Sequence, residues 1–275
     1  MADSNGNIYG RFSELERAVS AYEKEAAAIT LKEEDKEEIF KFLGPEDSKR
    51  YMGIKKIYLG LTVPHQQTVA RIVHECAKAI SELPMPEIGQ HLSLEQIEAI
   101  AFGARVHDIG KIMWGAQMHY LPSPLFKSNL DEKSMEMYKK HALNGWGLVS
   151  LVNSNFGREI VPRKALEIPI NIIRQHGECY NGKGNPEGLV RDAISFEARI
   201  FGVFDFYMAM VENRPYRNRP HTHEETLDIL LEESGKRFDP SILDPIHKAL
   251  DKNALTIKEI VKEAQDLILS AQDTK

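Results

Sequence analysis

The sequence has few cysteines and no long apolar run. Its two cysteines, Cys76 and Cys179, lie far apart, form no CxxC pair and offer no disulfide framework, which indicates a reducing compartment. No stretch is long and apolar enough to span a bilayer, and residues 1–6 lack the basic and apolar regions of a secretory signal. We therefore expect a cytoplasmic protein that makes no membrane contact.

An excess of basic residues is also missing. The chain carries 35 Lys and Arg against 41 Asp and Glu, a formal net charge of -6, which argues against a nucleic-acid groove that works by bulk electrostatics. We expect no DNA partner. A small anionic ligand can still bind where metal ions and a few basic side chains reverse the potential locally.

The residues that are present suffice for a large core. The 275 residues are 42% apolar and 28% charged, which suits one large domain or one domain with an appendage. Residues 11–50 are rich in Ala, Glu and Lys at helical spacing and predict one or two amphipathic helices. The charge run at residues 32–38 is typical of a solvated face, and the alternative is a helix that binds a partner or forms a homodimer.

From Val63 onward, helical patterns follow one another, separated by Gly and Pro, and alternating strand patterns are few. The sequence therefore predicts an all-α fold, with a helical bundle at residues 55–275 and an additional N-terminal helical segment at residues 1–54.

The first two bundle helices carry histidines at defined positions. His65 lies one turn before Val69 on an apolar stripe and should point inward, whereas His74 is about half a turn out of phase and should face solvent. The next helix begins with the capping-box pattern at Ser93 and runs to His107-Asp108, with Gly110 as its stop.

Polar residues also lie on the apolar stripes of the later helices. His141 is on a helix that starts near Asp131, and Gly145, one turn later, permits close approach of another helix. His176 and Asp205 occupy similar positions on the next two helices. The complete inward-facing set is His65, His107, Asp108, His141, His176 and Asp205.

A shared metal site explains this set better than separate buried polar groups, since a buried Asp without a partner is costly. A single histidine of this kind is more often a hydrogen-bonded core or surface residue, so the coincidence carries the argument. Asp108 has two oxygens and can bridge two cations while His107 caps one of them. Imidazole and carboxylate without thiolate suit iron, manganese, nickel or zinc, and helical bundles commonly build such centres.

Several motifs in the sequence belong together. They are His65 in HQQTVA, HDIGK at residues 107–111, His141 followed by Gly145, HGECYNGKGNP at residues 176–186, Asp205, RPYR at residues 214–217, and Gly235, Phe238, Asp239 and Pro240. On these motifs, residues 55–245 resemble the HD-GYP branch of the HD superfamily, whose members are metal-dependent phosphodiesterases acting on cyclic di-GMP. The resemblance implies an HD-domain helical bundle.

The sequence departs from the family pattern at four positions. In the signature loop, HHExxDGxGYP in the family, Gly177 replaces the second histidine and Asn185 the tyrosine. Met208 replaces the second Asp of the late motif, and Leu61 stands where trinuclear members place a Glu. The chain therefore resembles the dinuclear members more closely, and we expect weaker or altered substrate binding.

The resemblance also implies a ligand set. One metal would be held by His65, His107, Asp108 and Asp205, and the other by Asp108, His141 and His176, with Asp108 bridging and Gly177 leaving the second metal an open position. The cofactors would be two divalent transition metal ions, iron or manganese ahead of nickel or zinc. A hydroxide bridged by the two metals would attack phosphorus.

The resemblance gives roles to basic and loop residues as well. Lys111 would act with Asp108 in catalysis, by hydrogen-bonding a phosphoryl oxygen or helping to protonate the leaving group; the alternative is a lysine that only faces the helix dipole. Arg214 and Arg217 would clamp phosphate. Lys183 would do the same or remain a solvated loop residue, and Asn185 would contact the substrate without the stacking that tyrosine offers.

Three functions remain open from the sequence. The first is a phosphodiesterase that cleaves cyclic di-GMP, or a related cyclic dinucleotide, to a linear dinucleotide or mononucleotide. The second is an HD-type mixed-valent di-iron oxygenase, which uses the same four His and two Asp and would be identified by oxygen uptake. The third is a catalytically weak sensor, which would bind cyclic di-GMP without forming product.

Overall fold

The computed structural model describes residues 8–28, 62–83, 91–113, 132–154, 160–213 and 218–273. Within these ranges the regular structure is helical, and isolated β-bridges join Asn181 with Val190 and Ser234 with Phe238. The helices are α1 Ile8–Ala28, α2 Val63–Glu75, α3 Ala77–Ser81, α4 Leu94–Val106, α5 Glu132–Ser154, α6 Glu167–Gln175, α7 Phe196–Val211, α8 His223–Glu232, α9 Pro240–Lys252 and α10 Ala254–Asp273. The predicted all-α class is confirmed.

Helix α4 lies at the centre of the bundle. Its residues from Ala99 to Val106 are all buried, so the C-terminal half of this helix is covered on every side. It packs against α2, α6, α1 and α7. His107 follows the last residue of α4, and α2, α6 and α7 each bring a side chain to that end of the helix.

The start of α4 follows the sequence closely. The Ser93 hydroxyl accepts a hydrogen bond from the Gln96 backbone N–H, and the Gln96 side chain accepts one from the Ser93 N–H, which completes the predicted capping box. At the other end, α4 stops at Val106, and a 3-10 helix, Ile109–Met113, follows a short turn. The helix therefore ends slightly before the predicted stop at Gly110.

Gly110 and Gly145 bring the end of α4 against α5. A Cβ at Gly110 would overlap the carbonyl oxygen of His141 and lie 2.7 Å from the Gly145 nitrogen. A Cβ at Gly145 would lie 3.3 Å from the Gly110 nitrogen. The predicted close approach at Gly145 is confirmed, and its partner is the turn that follows His107 and Asp108.

Two apolar clusters fill the bundle. The larger contains residues of α2, α3, α4, α6, α7, α8, α9 and α10. The smaller contains residues of α1, α4, α5 and α6. Both cysteines are buried and free, as expected. Among the helices of the described ranges, none is long and apolar enough to cross a membrane.

Helix α1 is anchored by a buried ion pair as well as by apolar contacts. Phe12, Leu15 and Val19 are buried in the smaller cluster. The Arg105 guanidinium, on α4, donates to the Glu23 carboxylate at 2.9 Å, and both side chains are buried. The apolar face of α1 is thus used within the chain. The charge run at residues 32–38, Leu61 and the boundary at residues 54–55 lie outside the described ranges, and homodimerisation stays a prediction.

Candidate metal centre

Six side chains from five helices meet at the C-terminal end of α4. His65 comes from the first turn of α2 and His141 from α5, while His176 follows the last residue of α6 and Asp205 lies within α7. His65, His107 and Asp108 form one group whose ligand atoms all lie within 4.8 Å of one another, and Asp108, His141 and His176 form a second. Asp108 belongs to both groups.

Three of the four imidazoles are oriented by carbonyls of their own helices. His107 donates its Nδ1–H to the Ala104 carbonyl at 2.8 Å, and His176 donates to the Ile173 carbonyl at 3.0 Å. His141 donates to the Tyr138 carbonyl. With the proton fixed on Nδ1, each neutral ring presents the lone pair of Nε2 to the centre. This tautomer leaves Nε2 available to bind a metal.

The Nε2 atoms of the three rings converge on the carboxylate of Asp108. The distances are 3.3 Å from His107 to Oδ2, and 3.4 Å from His141 and 3.6 Å from His176 to Oδ1. Among the described residues, neither His107 Nε2 nor Asp108 Oδ1 has a hydrogen-bond partner, although both atoms are buried. Buried acceptors that face each other without a donor are unfavourable, and a cation between them removes the penalty.

His65 lies between two carboxylates. Its Nδ1 is 2.9 Å from Glu212 Oε1, and its Nε2 is 3.1 Å from Asp205 Oδ1. A neutral imidazole has one proton for these two acceptors, so the arrangement needs an additional positive charge. Asp205 Oδ1 also lies 3.5 Å from His107 Nε2, which joins Asp205 to the group of His65, His107 and Asp108.

The electrostatics favour the forms that bind metal. Burial alone would raise the pKa of Asp108, but Lys111 and the nearby His107 and His141 outweigh it and hold the pKa well below its usual range. Burial, together with the neighbouring His107 and His141, lowers the pKa of His176 to about 3. The carboxylate is therefore ionised and the imidazole neutral at neutral pH.

Lys111 and Gln66 complete the surroundings of Asp108. The Lys111 ammonium, on the 3-10 helix, contacts Asp108 Oδ2, and its side chain is 20% exposed. The Asp108 backbone N–H donates to the Gln66 side-chain oxygen at 3.0 Å, which ties the turn to α2. Lys111 is thus the basic group at the edge of the centre.

Glu178 organises the loop that follows His176. Its carboxylate accepts hydrogen bonds from the backbone N–H groups of Glu187, Gly188 and Leu189 at 2.7, 3.2 and 2.9 Å. Burial raises the pKa of Glu178 above its ordinary value, against the opposing effect of these bonds. The sequence pattern includes Glu178, but its spacing contains no signal for this anchoring role.

Gly177 and Asn185 meet within the same loop. The Asn185 N–H donates to the Gly177 carbonyl at 2.9 Å, and a Cβ at position 177 would lie 2.8 Å from the Asn185 carbonyl oxygen. The loop backbone is therefore packed directly against Gly177, at the position where the family has a second histidine.

The remaining residues of interest are dispersed. Lys183 is exposed on the loop, and Met208 is fully buried in the larger apolar cluster. Arg214 and Arg217 lie outside the described ranges.

The predicted exposure of His74 is confirmed, with 46% of its side chain accessible. Glu212, which contacts His65, was not among the predicted residues; its position seven residues after Asp205 was the available signal.

Comparison with known proteins gives a consistent set of relatives. A family model described as HD domain matches residues 62–242. The cyclic di-GMP phosphodiesterase response regulator RpfG of Xanthomonas campestris is 32% identical over 155 residues, which are 56% of this chain and 37% of that protein. A cyclic di-GMP phosphodiesterase of Thermotoga maritima is 32% identical over 152 residues, 55% of this chain and 37% of that protein.

A further relative is named for a different substrate. The 3'3'-cGAMP-specific phosphodiesterase 1 of Vibrio cholerae is 28% identical over 185 residues, 67% of this chain and 37% of that protein. The chain thus spans little more than a third of the length of these relatives. Among solved structures, a match to "Bd1817, a HDG"Y"P protein from Bdellovibrio bacteriovorus" has 15% identity and a TM-score of 0.47, and covers 91% of this chain and 75% of that one.

Proposed function

We propose that this chain, which belongs to the HD domain family, is a metal-dependent phosphodiesterase. Its substrate would be a cyclic dinucleotide, with cyclic di-GMP as the first candidate. The resemblance to the HD-GYP branch is confirmed by the family match and the relatives. The observation that carries the proposal is the membership of Asp108 in two adjacent ligand groups. A single buried carboxylate shared in this way is what a dinuclear centre requires.

The residues present suit two divalent cations. His65, His107, Asp108 and Asp205 would hold one, and Asp108, His141 and His176 the other. The nitrogen and oxygen donors favour iron or manganese, with nickel and zinc as alternatives. When bound, two such ions supply charge neutralisation of the phosphoryl oxygens and a water of lowered pKa.

The protein's own residues would then position and protonate the substrate. Lys111, at the edge of the centre, would donate a hydrogen bond to a non-bridging phosphoryl oxygen or give its proton to the departing sugar oxygen. Asp108 would be a ligand of both metals. Lys183 and Asn185 on the loop, with Arg214 and Arg217, would contact the phosphates and the base.

The choice of substrate rests on the relatives. Two of them are named for cyclic di-GMP and one for 3'3'-cGAMP, which supports a cyclic dinucleotide as the substrate class. Both compounds carry two phosphodiester groups, and a dinuclear centre beside a lysine is suited to cutting one of them.

The proposal can be tested on protein purified without oxygen and loaded with Fe²⁺ or Mn²⁺. Product formation from cyclic di-GMP and 3'3'-cGAMP would be measured for the parent, Asp108→Ala and His74→Ala. We expect hydrolysis in the parent and in His74→Ala, whose side chain lies on α2 but faces solvent. We expect none in Asp108→Ala. Unchanged turnover in Asp108→Ala would refute the mechanism.

The same samples distinguish the two alternatives. Oxygen uptake with no hydrolysis of either dinucleotide would indicate the di-iron oxygenase. Tight binding of cyclic di-GMP without product, in protein that carries both metals, would indicate the sensor.

A further inference from the structure

His65 differs from the other three histidines of the centre in the partner of its outer nitrogen. His107, His141 and His176 direct Nδ1 to backbone carbonyls, whereas the Nδ1 of His65 lies 2.9 Å from the carboxylate of Glu212. Glu212 is 7% exposed, so its charge is largely removed from solvent. A buried carboxylate at this distance is a much stronger acceptor than a carbonyl.

The geometry of α7 explains how this contact arises. Glu212 caps the C-terminus of α7, and its N–H donates to the Met208 carbonyl at 3.0 Å. Asp205 and Glu212 are seven residues apart, two helical turns, and therefore lie on one side of the helix. Their carboxylates contact opposite nitrogens of the His65 imidazole. Met208, which lies between them in the sequence, is buried.

We propose that Glu212 is a positioning residue, which fixes His65 in the metal-binding tautomer and selectively strengthens one of the two metal sites. The inference rests on the proposed function, because it requires metal at the centre. With a metal on Nε2, the ring proton is on Nδ1 and is donated to Glu212. The negative charge of Glu212 increases the electron donation of the ring, and such outer partners change metal affinity by about 10- to 100-fold.

The effect should be confined to one site. His65 belongs to the group with His107 and Asp108, whereas His141 and His176 belong to the other. Asp205 adds a second carboxylate near His65 and His107. The His65 site is therefore the more negatively charged of the two, and Glu212 acts on it alone.

The competing explanation is that Glu212 only satisfies a buried histidine and supports the fold. Glu212→Gln separates the two, because the amide oxygen can still accept the Nδ1–H while the charge is lost. A purely structural role predicts that Gln behaves like Glu. A positioning role predicts a weaker His65 site even though the hydrogen bond survives.

The experiment is calorimetric titration of the full chain, freed of metal, with Mn²⁺, for the parent, Glu212→Gln and Glu212→Ala. Asp239→Asn is the matched control, because Asp239 is another buried carboxylate, paired with Arg199 at 2.6 Å. Thermal unfolding of each metal-free variant is recorded alongside.

We expect two Mn²⁺ ions in the parent. In Glu212→Gln, one dissociation constant should rise by about 10-fold, with a larger rise toward about 100-fold in Glu212→Ala, while the other is unchanged. Asp239→Asn should lower the melting temperature and leave both constants unchanged. Equal constants in the parent and in Glu212→Gln, or a parallel loss at both sites, would overturn the inference.

The outcomes also separate this inference from the proposed function. If the parent binds two metals and hydrolyses a cyclic dinucleotide while Glu212→Gln binds both normally, the function stands and the role of Glu212 is wrong. If the parent binds no metal, both are wrong. If the metal sites respond as expected but no dinucleotide is cleaved, the role of Glu212 stands and the proposed activity fails.

Discussion

The Nε2 atoms of His141 and His176 face each other at 3.1 Å, although each ring donates its Nδ1–H to a backbone carbonyl. Both Nε2 atoms therefore present lone pairs across this distance. Such a contact is unfavourable between neutral rings and becomes favourable when a cation accepts both lone pairs. The pair, together with the shared carboxylate of Asp108, forms the strongest structural argument for a metal centre.

Removing one of these rings should remove one metal. His141→Ala takes a ligand from the site that it shares with His176 and leaves the His65 group intact. Elemental analysis of the loaded protein should give two metals for the parent and one for His141→Ala. His74→Ala, which loses an exposed histidine, should retain two. A value of two in His141→Ala would show that this ring is not a ligand.

The metal-free protein should lose stability as the pH falls below about 6.5, the ordinary value for histidine. The pKa of His176 is about 3 in the folded state, so at intermediate pH the unfolded chain binds a proton that the folded chain does not. The neutral His176 ring makes its full contribution to the free energy of unfolding above the ordinary histidine pKa of about 6.5. Below that pH the contribution is lost at about 1.4 kcal/mol per pH unit, because one proton binds to the unfolded chain.

Urea unfolding of the metal-free protein at a series of pH values checks this expectation. Asp108, with its lowered pKa, adds a further loss only below its ordinary value of 3.8. His176→Gln should show a shallower decline near pH 5 than the parent. Identical profiles for the two proteins would contradict the assignment of His176 as a buried neutral ring.

Gly110→Ala should destabilise the protein and disturb the centre. The new methyl group would overlap the His141 carbonyl, which is backbone and cannot move aside without shifting α5. Overpacking of this kind costs about 1–3 kcal/mol or more. Gly147→Ala is the matched control. Gly147 lies on the exposed side of α5, and a Cβ there would meet no atom within 4 Å.

Denaturant unfolding and metal titration distinguish the two glycine variants. Gly147→Ala should be neutral or stabilising by up to about 1 kcal/mol, since alanine favours a helix. Gly110→Ala should also bind metal more weakly, because His141 is displaced. Equal stability of the two variants would mean that the turn after Asp108 is not tightly packed on α5.

Glu178→Ala should loosen the loop at residues 177–189 without removing a metal ligand. The substitution leaves three backbone N–H groups without the carboxylate that they now contact, at about 1–3 kcal/mol for each one that stays buried and unsatisfied. Hydrogen exchange should accelerate at Glu187, Gly188 and Leu189, with the metal content unchanged. Unaltered protection of these amides would refute the anchoring role.

The sequence predicts the helices and the inward direction of the polar residues because both follow from periodicity. The stripe containing Val69 places His65 inside the bundle, and the Ser93 capping box marks the start of α4. Family resemblance then joins residues that lie far apart in the chain. The approach of Gly110 to Gly145 shows how a small residue at a helix surface can indicate a crossing point.

Other features depend on tertiary geometry that no local pattern records. Glu212 reaches His65 only because α7 crosses the first turn of α2, and these residues are 147 positions apart. The three N–H bonds of Glu178 depend on how the loop closes. The sequence shows only that Gly177 replaces a histidine of the family pattern. The structure shows that the Asn185 carbonyl lies directly beside Gly177.

Electron paramagnetic resonance of the Mn²⁺-loaded protein tests most directly whether one carboxylate joins two metals. Two ions that share Asp108 as a ligand should give a spin-coupled spectrum in the parent. Asp108→Ala should abolish the coupling, with only isolated Mn²⁺ signals remaining. An uncoupled spectrum in parent protein that holds two equivalents of Mn²⁺ would contradict the dinuclear centre.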